Sequence, residues 1–282
     1  DDLKLDNSIL QSQTDSYRRI RNTFRYLIGN LDGFSINEKI DEANFPELEK
    51  FILHRLWEID EIIKECVKTF NLHLMFTTLL NFCSNDLSAF YFDIRKDIIY
   101  CNGKESIERR SARTLLDIIF NYLVRWLAPS LSFTTEEAWK ARDNQSSIHV
   151  EDFLTAPQIY KNYKISETWI ILKQIRKVVT GALEKKRAEK IIGSSLESHI
   201  DIFVEKSLLE IIKNYPLDEI CITSSFELHE LNDNSEGFSI DEVSNVKVSV
   251  SKNDGKKCQR CWKYKKELIR DEICNRCDNA II

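Results

Sequence analysis

A mainly α fold is predicted: a helical bundle over residues 1–157, a small α+β unit over 158–250 and a four-cysteine tail over 251–282. Apolar residues recur at three- and four-residue steps as far as Lys190, and the 282 residues hold only seven glycines and four prolines. Strand-like alternation enters only after Gly193, as in Leu196 to Val204. The tail carries two Cys-x2-Cys pairs, Cys258 with Cys261 and Cys274 with Cys277.

Composition sets the bounds. With 43% hydrophobic and 30% charged residues the chain can build a core. No apolar run approaches the roughly 18 residues that would cross a bilayer, and no signal-peptide pattern opens the sequence, so a soluble, cytoplasmic protein without a membrane partner is expected. The formal net charge of −5 counts against a dedicated nucleic-acid binder. Charge distribution matters more than the sum: acidic residues gather at Asp41–Glu49 and Glu227–Glu242, basic ones elsewhere. The first residue is Asp1 and the only methionine is Met75, which points to a piece of a longer protein.

In chain order, residues 1–12 read as a polar linker and about 14–31 as a helix. Within it Arg18, Arg19, Arg21 and Arg25 crowd beside the apolar stripe Ile20, Phe24, Leu27, Ile28 and Leu31. Gly29 and Asn30 suit its end, before the Asp32-Gly33 break. This is either an amphipathic core helix with a solvated charged side or a guanidinium face for a polyanion. Pro46 with Glu47 and Glu49 opens a second helix running to about Phe70, with a further stretch after Asn71. The cluster Asp93, Arg95, Lys96 and Asp97 reads as a salt-bridged surface. Glu105 to Leu127 is a long helix whose face is Leu115, Ile118, Ile119, Tyr122, Leu123 and Trp126, stopped by Pro129. Thr134-Thr-Glu-Glu137 offers a capping box.

A boundary is expected near Ile148 to Pro157. A helix over Glu167 to Lys190 carries Ile170, Ile171, Ile175, Val178, Val179 and Leu183 and ends at Gly193. Leu196–Val204, Glu219–Thr223 and Val246–Val250 read as strands, and Leu208–Lys213 as a helix.

The spacing Cys258-x2-Cys261-x12-Cys274-x2-Cys277 lets each pair of thiols grip one ion from a tight turn. Four thiolates at about 2.3 Å suit tetrahedral Zn²⁺ and leave no open coordination position, so one structural zinc in a ribbon or knuckle is expected. Disulfides are the alternative, disfavoured without a secretory marker; an iron–sulfur cluster is another. Cys66, Cys83, Cys101 and Cys221 are scattered and read as buried thiols. From Ser251 to Arg270 there are eight Lys or Arg against two acidic residues. Here Arg260, Trp262 and Lys263 interleave cations with a ring, a surface that can pair with phosphates and stack on unpaired bases. Trp262 could equally pack on the zinc fold.

Several strings carry a resemblance. Tyr17-Arg-Arg-Ile-Arg-Asn-Thr-Phe-Arg-Tyr-Leu-Ile-Gly-Asn-Leu31 resembles the helix that opens the anticodon-binding domain of class I aminoacyl-tRNA synthetases. Trp126 to Trp139, with Arg109, Arg110 and Arg113 before it, resembles the same domain. Lys257-Cys-Gln-Arg-Cys-Trp262 and Ile273-Cys-Asn-Arg-Cys277 resemble the terminal zinc element of the bacterial isoleucine enzymes, as Gly193 to Glu197 resembles the region before it. A related finger occurs in formamidopyrimidine-type DNA glycosylases; the upstream bundle favours the synthetases.

The likeness covers roughly residues 14 to 278. It implies a monomeric parent that joins isoleucine to its tRNA with ATP and Mg²⁺ in an N-terminal catalytic part, which this piece would adjoin while gripping the anticodon arm. It implies a helix followed by an extended segment over Asp86–Tyr100. The physical expectation beside it is that Arg18, Arg19, Arg21 and Arg25 contact backbone phosphates and that Arg260, Trp262, Lys263 and Arg276 contact the anticodon loop; the alternative is that some of these arginines brace helices. The His-x-Gly-His and Lys-Met-Ser-Lys-Ser signatures of the catalytic part do not occur, nor does a phosphate-cradling loop, a nucleophile elbow or HExxH, so no catalytic residue is expected here. Valine-, leucine- or methionine-type relatives and a non-enzymatic zinc-ribbon module remain as alternatives.

Overall fold

The computed structural model describes residues 6–269 and 272–281. Arg270 of the basic run and residues 1–5 of the expected linker lie outside the described residues. The chain forms two compact units, Asp1–Ile99 with Lys104–Tyr163, and Tyr100–Gly103 with Lys164–Ile282.

The first unit is helical. Helix α1 (Asn7–Asn30) starts well before the expected position, inside the stretch read as linker, because the Asp6 carboxylate accepts from the Ser8 and Ile9 amides and caps it. Its stripe buries Ile20, Phe24 and Leu27. The left-handed turn after it belongs to Gly33 (φ 65°), not to Gly29 or Asn30. Helix α2 (Glu47–Thr69) ends on Phe70 in a left-handed cap.

Leu72–Asn81 (α3), a π-helical stretch Phe82–Phe92 and Asp93–Cys101 (α4) then run on as helix, so the extended segment expected by Tyr100 is absent. The π turn brings Phe90, Tyr91 and Phe92 all inside. Phe92 stacks on Tyr26, with ring centroids 4.1 Å apart, and Phe90 meets Phe51 edge-on at 6.2 Å.

The Asp93–Asp97 charge cluster is not a simple surface: Arg95 is buried and forms two bonds to the buried Glu49 carboxylate. Helix α5 (Ile107–Leu127) is capped by Ser106 and forms the centre of the unit, with Leu115, Leu116, Ile119, Phe120, Leu123 and Trp126 buried. Helix α6 (Ser132–Lys140) begins before Thr134, so the expected capping box does not form. Thr134 instead meets the Tyr17 hydroxyl at 3.0 Å, and the Glu136 carboxylate receives Ser147 Oγ and the Ile148 amide.

The second unit is α+β. Helix α7 (Tyr163–Ala188) starts earlier than expected. It buries Ile165, Trp169, Leu172, Ile175, Val178, Val179, Ala182 and Leu183, whereas Ile170, placed inside by the periodicity, is exposed. Lys190 (φ 58°), not Gly193, takes the left-handed turn after it. A four-stranded sheet follows in the order β2-β1-β4-β3, from Ser198–Val204 (β1), Ser225–Glu230 (β2), Phe238–Ile240 (β3) and Val243–Lys252 (β4). β1 is parallel to β2 and antiparallel to β4. Helix α8 (Lys206–Ile212) leads to a short helix α9 (Leu217–Ile220), which occupies the place of the expected strand at Glu219–Thr223. Pro216 starts that helix, and the true strand begins three residues after Ile222, itself at φ 57°. Gly181 on α7 lets the Phe238 ring approach closely: a Cβ there would lie 2.6 Å from the ring edge and push it aside.

Candidate nucleic-acid interface and metal centre

In the first unit the four arginines of α1 are all exposed. Burial of Ile20, Phe24 and Leu27 turns the opposite side outward, and Arg18, Arg21 and Arg25 recur there at helical steps. Arg18 Nη2 meets Asp15 Oδ1 at 2.9 Å on the surface, a solvent-screened pair of little energy. Arg21 and Arg25 line a cleft of about 480 Å³ with Phe24, Ile28, Thr134 and Glu137, so α1 and α6 form its two walls.

The arginines of α5 do something else. Arg109 Nε donates to the Ile99 carbonyl (3.0 Å), Arg110 Nε to that of Glu38 (3.1 Å) and Arg113 Nη2 to that of Asp32 (2.8 Å). Arg109 ties α5 to the end of α4, and Arg110 and Arg113 tie the 32–38 stretch to α5.

In the second unit the two-stranded ribbon Lys256–Lys257 (β5) and Tyr264–Lys265 (β6) and the short helix Asn275–Asn279 (α10) present Cys258, Cys261, Cys274 and Cys277 to one another. All four are buried and their Sγ atoms lie within 4.8 Å of each other. Cys261 Sγ and Cys274 Sγ are 3.7 Å apart. Two sulfurs bound at about 2.3 Å across a tetrahedral angle would be about 3.8 Å apart, so the geometry and the soft donor set fit one metal ion of the zinc type.

Burial works against ionising Cys258, yet the amides of Cys261, Cys274 and Arg260 outweigh it and bring that thiol down to about 6. Burial pushes the Cys261 and Cys277 thiols up. Gly255 lets the ribbon close: a Cβ there would sit 2.8 Å from the Lys265 carbonyl oxygen.

Trp262 takes φ 65° between Cys261 and Lys263 and stands 60% exposed, so it does not pack into the tip. Lys257 Nζ lies 5.9 Å from its ring centroid. Its neighbours are occupied. The Arg260 guanidinium donates to the carbonyls of Cys101 and Tyr100, and Lys263 Nζ pairs with Asp218 at 3.1 Å. Arg276 is half-buried in α10 beside Cys277. Cys101 is not scattered after all: it packs among the four tail cysteines. Sequence reasoning missed Asp218 and the 100–101 carbonyls as supports, and no local pattern marks them. The Asn253-Asp254-Gly255 turn is a signal that could have located the ribbon.

The family described as the anticodon-binding domain of tRNA ligase matches residues 49–202. The isoleucine–tRNA ligase of Pelagibacter ubique is 46% identical over 270 residues, covering 94% of this chain and 29% of the relative. That of Zymomonas mobilis is 38% identical over 288 residues, covering 100% and 29%, and that of Bartonella henselae 41% over 273, covering 96% and 28%. The chain thus spans under a third of the length of these relatives. Neither the α1 arginines nor the cysteine tip falls in the matched 49–202 segment, but both lie in the unit-forming helices and ribbon described above. With the match extending over more than half of its residues, the chain belongs to the family of anticodon-binding domains of tRNA ligases.

Proposed function

We propose that this chain is the C-terminal, anticodon-arm-binding part of a cytoplasmic, monomeric isoleucine–tRNA ligase. The ATP- and Mg²⁺-dependent joining of isoleucine to tRNA(Ile) takes place in an N-terminal catalytic part of the same protein. The observation that carries the reading is the exposed guanidinium face of α1 on a bundle of the matching family. Arg18, Arg19, Arg21 and Arg25 contact backbone phosphates, Arg21 and Arg25 from the cleft that they line with α6.

Zn²⁺ is held by Cys258, Cys261, Cys274 and Cys277, and its part is structural: it clamps the ribbon to α10 in a segment too small to bury a core. Trp262 then stacks on an unpaired anticodon-loop base. Arg260 and Lys263 support this by position rather than by contact, since both cations are held by the protein. Arg276, half-buried on α10, contacts the anticodon loop beside it. In domain terms, residues 1–157 form the bundle, 158–250 the α+β subdomain and 251–282 the zinc element.

The test is a gel-shift titration of the chain against isoleucine tRNA and a tRNA with an exchanged anticodon. Tighter binding to the isoleucine tRNA is expected. Equal affinity for both removes the isoleucine assignment, and no binding to either removes RNA recognition.

A further inference from the structure

Away from the four thiols, the parallel pair β1/β2 carries a second cluster of metal-ligating side chains. Strand alternation buries Ile200, Ile202 and Val204 on one face of β1, leaving His199, Asp201 and Phe203 on the other. The register sets His199 beside Ser225, Asp201 beside Glu227 and Phe203 beside His229. Two imidazoles and two carboxylates therefore share one patch of the open face.

Ligand atoms of His199, Asp201 and Glu227 all lie within 4.8 Å of one another. His199 Nε2 stands 3.6 Å from Asp201 Oδ1. That is too long for an ordinary hydrogen bond. It is close to the roughly 3.4 Å spanned by two ligands of one ion at bonds of about 2.1 Å and a tetrahedral angle.

The other ring nitrogen of His199, Nδ1, is 2.8 Å from Ser225 Oγ, which also accepts from Asn253 Nδ2 at 2.8 Å. With Nδ1–H donated to that hydroxyl, Nε2 carries the lone pair that faces the carboxylates. Ligating histidines are oriented in this way by a partner on their second nitrogen. His229 Nε2 reaches the same Asp201 Oδ1 at 2.9 Å, while its ring stacks on Phe203 with centroids 5.0 Å apart. It fixes the Asp201 carboxylate.

We propose that His199, Asp201 and Glu227 bind a divalent transition-metal cation, with His229 positioning Asp201 and solvent completing the coordination. One imidazole with two carboxylates suits Zn²⁺, Co²⁺ or Mn²⁺ rather than Ca²⁺ or Mg²⁺. The site differs from the thiol site in kind: it is half-exposed, hard-donor and open, so its ion exchanges. It also has a consequence for charge. His199 and Glu227 line a cleft of about 560 Å³ together with Lys252, Lys265 and Lys266. A dication there cancels the two carboxylates and leaves the lysines to set a positive potential.

The experiment uses the full chain with zinc already at its thiols, titrated with Co²⁺ and followed by calorimetry and absorption spectroscopy. One further equivalent is expected, without the strong near-ultraviolet thiolate-to-cobalt band. His199→Gln and Glu227→Gln, on different strands, are each expected to weaken it by about tenfold or more. Circular dichroism is recorded on both variants, with an unchanged spectrum expected. The proposal is overturned if wild-type protein takes up cobalt only with the thiolate band or not at all. It is equally overturned if the second equivalent survives both substitutions unchanged, which would leave the imidazole–carboxylate contacts as a plain hydrogen-bond network.

Discussion

The Arg95 guanidinium grips the Glu49 carboxylate with two parallel bonds, Nε to Oε1 at 2.5 Å and Nη2 to Oε2 at 2.7 Å, and both side chains are buried. Tyr91 donates its hydroxyl to the same Oε1 at 3.0 Å, and burial holds that phenol well above its ordinary pKa, so it stays a donor at every working pH. The three residues pin α2 to the π-helical stretch and α4. Breaking one partner of such a pair strands the other charge without solvent. Glu49→Gln is therefore expected to cost about 3–5 kcal/mol in urea unfolding. A loss under about 1 kcal/mol, the range of exposed pairs, would show that the bond is not made.

Metal removal should act locally. Serine in place of any one of Cys258, Cys261, Cys274 or Cys277 leaves three thiol ligands where four define the site. Elemental analysis of the wild-type protein is expected to give about one tightly held zinc per chain. Each substitution should lower it, and a chelator should expose the ribbon to protease while the α1–α6 bundle stays resistant. Full zinc retention in all four variants would end the four-thiol assignment.

Trp262 and the α1 arginines should separate by type of effect. Trp262→Ala removes an exposed ring that no core needs. Stability should hold while RNA affinity falls by about 1–3 kcal/mol, the range for a stacked base. Arg21→Ala and Arg25→Ala should each reduce the slope of log affinity against log salt by about 1, the change that the loss of one proposed phosphate contact brings. An unchanged slope in both would remove α1 from the interface.

His54 gives the bundle a pH dependence with a fixed sign. It is buried in α2, its Nδ1 accepts from the Asn162 amide at 3.1 Å, and burial lowers its pKa against the opposing pull of Glu58. In the unfolded chain it titrates near 6.5. Above that pH both states are neutral and the fold pays no penalty. As pH falls below it, the unfolded chain takes up the proton first and stability declines. Urea midpoints at about pH 7.5 and about pH 5 should therefore diverge more for the wild type than for His54→Gln. Equal divergence would assign the effect to other groups.

The parts of the fold legible beforehand are those governed by short-range periodicity. In α5 the repeat placed Leu115, Ile119, Tyr122, Leu123 and Trp126 inside correctly, but Ile118 of the same face is half-buried and Leu116, Phe120 and Val124 outside it are buried, because a helix packed on several sides has no single apolar stripe. β1 followed from its alternation. The misreadings have a shared cause. Glu219–Thr223 has strand-like residues, but Pro216 opens a helix there, and β-propensity yields to such context. Arg95 sits in a run that looks solvated, and only the approach of Glu49, 46 positions earlier, turns it inward.

What the sequence determined alone was the mainly helical class, the arginine-studded opening helix and the four-thiol spacing, since each is written in residues a few positions apart. Tertiary structure decided which cations the protein itself engages. Arg260 and Lys263 look as available as Arg21 and Arg25 in the sequence, but carbonyls at Tyr100 and Cys101 and the carboxylate of Asp218 claim them. It also brought His199 and Asp201 beside Glu227, because strand register, unlike helical period, is set by pairing between segments distant along the chain.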